Sequence, residues 1–417
     1  MAHDLGGARR RGDRVARSGH RRGVQGPTGD RRVLMSWPVY AADEIAAVAD
    51  VLRRGQGNAW SGADVAAFEQ DYARQVGRPY AVALSNGTVA LELALRALEI
   101  GPGDDVLVTA RSFVASASAI VAVGARPVFA DVDPDSQNVT AQTLEAARTP
   151  CTRAAVLVHL AGWMCEMDEI LTWAGRHGIR TLEDCAQAHG ASYRGAPAGS
   201  LGDAAAWSFC QDKIISTGGE GGMVTTASQA VWQRVWSLKD HGKLPIQAAS
   251  AGPGFKWLHE AFGSNARMTA MQAAIGRIQL RKCAAWVARR REHAQRLLDA
   301  AARYPALRVP RPPEHIGHAY YRCYVFVRPH ALRPGWSRDG LLRALQAGGV
   351  RVFQGSCPEI YREVAFRRAG LAPRAPLPVA RELGLCSVAF PVDPGLTEAE
   401  AGHRLQVLDS VMARASR

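Results

Sequence analysis

Six short apolar runs constrain this chain more than any other feature. They are Tyr80–Leu84, Asp105–Thr109, Pro127–Asp131, Ala155–Leu160, Ile179–Leu182 and Ala204–Phe209. None shows the polar alternation of a strand with one wet face, so each suits a strand buried on both sides. Segments at helical spacing separate them, as crossovers between parallel strands require. The repeated order predicts an α/β fold whose largely parallel sheet is covered by helices on both faces.

Two helices are expected ahead of the first strand. Asp43–Arg54 carries Ile45, Val48, Val51 and Leu52 on one face, and Gly55 stops it; Asp64–Gln75 carries Val65, Phe68 and Tyr72. Residues 265–303 read as one long helical region. After the Pro305–Pro313 stretch the texture changes to a strand (Tyr320–Val327), a helix (Arg338–Ala347), another strand, a loop and a final helix (Glu398–Ala413). The expected division is a large domain over 35–300 and a smaller α+β domain over 301–417.

The chain has 417 residues and a formal net charge of +13. That charge is uneven. Residues 1–34 hold nine arginines against three aspartates, with no aromatic residue and no apolar periodicity. Such a segment is expected to be disordered. It reads as a nucleic-acid arm, as a targeting segment lacking the apolar core of a signal peptide, or as an extension upstream of a working start at Met35. No apolar stretch approaches the ~20 residues of a membrane helix. The eight cysteines form no CxxC pair. They are expected as free thiols in a reducing cytoplasm, and no zinc or other metal is expected.

The sharpest chemical signal is Trp207-Ser-Phe-Cys-Gln-Asp-Lys213, followed by Ile-Ile-Ser-Thr-Gly-Gly-Glu-Gly-Gly. A strand ends at Phe209, and a single lysine follows in a turn of small residues. A buried amine of this kind can form a Schiff base with an aldehyde; taken alone, the lysine is better read as an exposed loop residue, and the context has to change that. Four other segments add context. Ser85-Asn-Gly-Thr88 opens a helix after a strand, which makes an anion site or a plain N-cap. Glu183 and Asp184 end an apolar strand, where carboxylates are costly unless paired; one of them could hold a protonated pyridine nitrogen. Phe113 follows another strand and could stack on a planar ring or fill the core. Asn265 and Arg267 precede the long helix, where they could cap it, reach a phosphate or meet a partner chain.

In this order the segments resemble the DegT/DnrJ/EryC1/StrS aminotransferases, the sugar aminotransferase branch of the fold-type-I pyridoxal phosphate (PLP) enzymes. The landmarks are the S-x-G-T turn, G-P-G-D-x-V (Gly101–Val106), G-A-x-P-V-F-x-D (Gly124–Asp131) and V-H-x-x-G (Val158–Gly162). E-D-x-A-Q-A-H-G-A (Glu183–Ala191), S-F-x-x-x-K (Ser208–Lys213), G-E-G-G and R-M-x-x-x-Q-A-A-I-G (Arg267–Gly276) complete the set. The resemblance runs from about Trp37 to the C-terminus.

The resemblance implies a role for each matching residue. Lys213 is the Schiff-base lysine and proton shuttle, and Asp184 pairs with the pyridine nitrogen. Gln187 lies by the ring's 3-hydroxyl. Gly87, Thr88 and Ser208 hold the phosphate, Phe113 covers the ring, and Asn265 reaches the phosphate across a homodimer interface with shared sites. His159 and His189 lie near the site, His189 as a packed residue. The implied substrates are a nucleotide-activated 4-keto-6-deoxyhexose and glutamate. By rough position Lys239, His241, Lys243, Arg267 and Tyr324 are candidate substrate contacts. Lys213 argues against the branch that carries His there and dehydrates the sugar. Glutamine-dependent relatives acting on cyclitols or making aminohydroxybenzoate stay open. On this reading the surplus charge points to anionic small molecules, with neither nucleic acid nor membrane as partner.

Overall fold

A computed structural model describes residues 37–244 and 258–417. The expected basic extension over 1–34 lies outside the described residues. Seven strands form the central sheet: β1 (Tyr80–Leu84), β2 (Asp105–Thr109), β3 (Arg126–Ala130), β4 (Thr152–Val158), β5 (Arg180–Asp184), β8 (Ala204–Ser208) and β9 (Gly222–Thr226). Their order is β1-β9-β8-β5-β4-β2-β3. All pairings from β8 to β3 are parallel, while β9 lies antiparallel between β1 and β8.

Both faces of this sheet are buried, as the non-alternating runs require. Ala81, Ala83, Leu107, Ala155, Leu157, Ala205 and Trp207 join one core, with Phe68 and Tyr72 of the helix Asp64–Gln75 and Ile170 and Trp173 of the helix Met167–His177. The intervening residues Val82, Leu84, Val106, Val108, Val156, Leu182 and Ala206 join the opposite core, with the helices Gly87–Ala97 and Ala115–Ala122. Each strand thus feeds two cores through its two-residue period.

A hairpin of β6 (Ser192–Tyr193) and β7 (Ala196–Pro197) pairs with β11 (Ile316–Gly317). A third sheet holds β10 (Leu307–Arg308), β12 (Cys323–Val327) and β13 (Ser387–Phe390) in the order β10-β12-β13. The helix Ala270–Ala301 links the cores. Its first half packs Ala273, Leu280 and Cys283 beneath the central sheet, and its last turns pack Leu297, Leu298 and Ala301 with β12 and the helices Arg338–Ala347 and Glu398–Ala415. Among the described residues no helix is long and apolar enough to cross a membrane.

Candidate active site

The parallel strands end at one edge of the sheet, and the residues just beyond them line a cavity of about 840 Å³. Such edges are where open α/β sheets bind ligands. Gly87 and Thr88 follow β1, Ser112 and Phe113 follow β2, Asp184 and Gln187 come from the end of β5, and Ser208 and Lys213 come from the end of β8. Tyr321, Arg322 and Tyr324 close the opposite wall.

Lys213 is placed by its turn. Its N–H bonds to Cys210 O at 3.0 Å, Phe209 N–H to Gly221 O at 2.8 Å and Gln211 N–H to Gly219 O at 3.0 Å. Closing so tight a loop needs left-handed backbone at two successive residues, and Gly218 (φ 86°) and Gly219 (φ 120°) supply it. The Trp37 indole N–H caps the Lys213 carbonyl at 2.7 Å. The amine is nearly buried. Burial pulls its pKa down, but Tyr321 and Asp212 outweigh that and hold it above its ordinary value.

Strand alternation decides between the two carboxylates. Asp184 turns to the cavity and Glu183 to the other face. The Glu183 carboxylate accepts N–H groups from Gly199 (3.0 Å), Leu201 (2.9 Å) and Gly202 (2.6 Å) and pairs with His159 Nε2 at 2.9 Å. It is a fully engaged structural anion. His159 Nδ1 accepts the Cys165 N–H at 3.2 Å, so Nε2 carries the proton given to Glu183. His159, Glu183 and Cys185 lie close enough together to hold an ion, yet Glu183's lone pairs are already spent on these four partners. Asp184 is the free one chemically. Among the described residues its carboxylate accepts Ser116 Oγ–H at 2.7 Å and Ala186 N–H at 3.2 Å alone, and Ser112 Oγ lies 3.0 Å from Ser116 Oγ. Burial raises the Asp184 pKa, and those hydrogen bonds oppose the rise. A buried carboxylate in this state gains from a cationic N–H facing it.

The remaining walls suit a phosphorylated planar ring. Asn86 Oδ1 caps the helix Gly87–Ala97 by accepting Val89 N–H at 3.0 Å. The first-turn N–H groups of Gly87 and Thr88 are left for an anion. A Cβ on Gly87 would lie 2.6 Å from Ser208 Cβ, so these two backbones meet only because residue 87 is glycine. Gln187 Oε1 accepts Ala161 N–H at 2.7 Å, which leaves its amide nitrogen to donate into the cavity. Phe113 is 63% exposed at the wall, so it is no core residue. His189 packs behind the site. Its Nε2 donates to Ser208 O at 2.9 Å and its Nδ1 accepts the Tyr72 hydroxyl at 2.8 Å. Burial drives its pKa down to about 4, so it is a neutral strut.

Five of the residues singled out from sequence lie elsewhere. Lys239 is buried with its amine 4.8 Å from the centre of the Trp236 ring, and the Lys243 amine lies 4.0 Å from Asp240 and 5.6 Å from the centre of the Trp60 ring. Arg267 pairs with buried Asp240 at 2.8 Å, and the chain at Asn265 bridges to Asp240. His241 bonds through its backbone to Ser264. None of these five lines the cavity, whereas Tyr324 does. Ser116, Asp212, Tyr321 and Arg322 reach the cavity without having been picked out. The four-residue spacing of Ser112 and Ser116 was a usable hint. Nothing local marks Tyr321 or Arg322, which arrive from more than a hundred residues beyond Lys213.

An α/β enzyme with a buried lysine and a buried carboxylate facing one strand-end cavity has the make-up of a transaminase. The model of the DegT/DnrJ/EryC1/StrS aminotransferase family matches residues 38–409; the chain belongs to this family and is an aminotransferase. The family implies PLP as cofactor. A solved aminotransferase from Psychrobacter cryohalolentis is 47% identical, with a TM-score of 0.88 over 90% of this chain and 98% of its own. GDP-perosamine synthase of Caulobacter vibrioides is 36% identical over 83% of this chain and 89% of its own length. The dTDP-3-amino-3,4,6-trideoxy-alpha-D-glucose transaminase of Streptomyces venezuelae is 33% identical over 90% and 93%.

Proposed function

We propose that this enzyme moves an amino group from glutamate to a nucleotide-activated keto-deoxysugar, a 4-keto-6-deoxyhexose, using PLP. The observation that carries the reading is the convergence of Lys213, Asp184, Gln187 and the Gly87–Thr88 helix start on one cavity. PLP, when bound, supplies an electron sink for the carbon that exchanges nitrogen. The residues present fit it. Lys213 would hold its aldehyde end, Asp184 its ring nitrogen, Gln187 its ring oxygen, and Gly87, Thr88 and Ser208 its phosphate. Phe113, exposed at the cavity wall, would cover the ring.

The chain's own work is then positioning and proton transfer. Lys213 Nζ takes the proton from the donor's α-carbon and returns one when the keto substrate is aminated. Asp184 would keep a proton on the ring nitrogen, with Ser116 and Ala186 orienting its carboxylate. Arg322, the sole arginine lining the cavity among the described residues, is the counter-ion for an anionic substrate. Exposed Asn265 and nearby Phe262, 97% exposed, support a homodimer in which one subunit completes the other's site. Eight unpaired cysteines support a reducing, cytoplasmic setting.

The test is to incubate the protein with PLP, either glutamate or glutamine, and in turn dTDP-, UDP- and GDP-linked 4-keto-6-deoxysugars and keto-cyclitol or aminohydroxybenzoate precursors, reading products by mass. An aminosugar formed with glutamate supports the proposal. Turnover confined to glutamine with cyclitol or aminobenzoate precursors replaces it with that branch.

A further inference from the structure

The cavity wall opposite the sheet sets two groups that the mechanism above does not use, Tyr321 and Asp212, against the Lys213 amine. Lys213 Nζ lies 3.5 Å from the Tyr321 hydroxyl, 3.4 Å from Asp212 Oδ1 and 4.9 Å from the centre of the Tyr321 ring. The Tyr321 hydroxyl donates its proton to Asp212 Oδ2. Its oxygen lone pairs are therefore free to accept from the lysine. Arg322 lies over the same ring, 4.4 Å from its centre, and 3.7 Å from Asp212.

This wall is held firmly. Tyr321 N–H bonds to Ala161 O at 2.8 Å and Ala319 N–H to Gly162 O at 3.0 Å. Between them Tyr320 sits in the left-handed region at φ 48°, a conformation that costs a tyrosine energy and persists only where the surroundings enforce it. A flexible four-carbon stem ends here against a fixed hydroxyl and a carboxylate.

We propose that Tyr321 and Asp212 are positioning residues forming a dock for the Lys213 amine whenever that amine is not covalently engaged. Tyr321 fixes the direction of Nζ, and Asp212 is its counter-ion. The dock keeps the amine at the cavity wall. It rests on the assignment of Lys213 in the proposed function. The other groups facing the amine are Asp184 from β5, His189 from the turn beyond it and Cys210 from the end of β8, with Arg322 across Asp212. These stay constant in the variants below.

The experiment uses the full chain freed of cofactor, labelled with cyanate across a pH series, and reads carbamylation of the Lys213 peptide by mass. Cyanate reacts with the neutral amine. Asp212→Asn removes the counter-ion, lowers the pKa of Lys213 and is expected to speed labelling near neutral pH about tenfold. Tyr321→Phe keeps the ring, loses the hydroxyl and is expected to speed labelling about threefold. Asp212→Glu restores the charge and is expected to return labelling toward wild type. A labelling profile superimposed on wild type for either Asp212→Asn or Tyr321→Phe overturns the dock. Wild-type protein that never takes up PLP sinks the functional assignment instead, and the carbamylation profiles still report on the dock.

Discussion

His189 offers a quantitative test of how the site is built. It is buried between Tyr72 and the carbonyl of Ser208, one of the residues facing the proposed phosphate position. Burial holds its pKa at about 4, against 6.5 in an unfolded chain. The sign follows from linkage. A histidine depressed on folding contributes stability above its unfolded pKa, and that contribution is lost as pH falls toward its folded pKa. The two values put the loss at about 2 kcal/mol between about pH 7 and pH 5, and about 3 kcal/mol by about pH 4. The perturbation is His189→Gln, whose amide can still donate to Ser208 O but takes no proton in this range. The assay is urea unfolding of both proteins through that pH range. Wild type should lose about 2 to 3 kcal/mol more than the variant on acidification. Parallel curves would refute the neutral-strut reasoning, because they would mean His189 does not resist protonation.

Other substitutions test separate parts of the site. Gly87→Ala places a Cβ 2.6 Å from Ser208 Cβ. The resulting strain of about 1 to 3 kcal/mol should weaken PLP binding at least about fivefold, measured by titration. Glu183→Ala strips His159 and three backbone N–H groups of their acceptor. It should cost about 3 to 5 kcal/mol in thermal or urea unfolding, without Glu183 touching the substrate. Arg322→Ala should raise KM for the anionic substrate about tenfold while lowering kcat less, read from initial rates.

Much of this architecture is legible in the chain because burial on both faces leaves a simple mark. Five-residue apolar runs locate β1 and β2 to the residue and most other central strands to within one or two. The strand β9 escaped because it follows the glycine turn directly and lies antiparallel between β1 and β8, a placement that sequence order does not announce. The helix Pro378–Cys386 escaped within a segment read as loop. The cavity residues that follow strands were legible, since a strand's end fixes where they emerge. Period-two alternation also separates Asp184 from Glu183, although both were flagged. Tyr321, Arg322 and Asp212 were not legible. Tyr321 and Arg322 depend on how β12 and the loop before it fold back on the central sheet, which no local pattern records.

The central claim is that Lys213 is the residue that holds PLP, and covalent trapping tests it most directly. The protein is mixed with PLP, reduced with borohydride, digested and mapped by mass. The account predicts one pyridoxyl adduct, on Lys213, absent from Lys213→Ala protein that remains folded. An adduct on another lysine, or none on protein that still transfers amino groups, would contradict it.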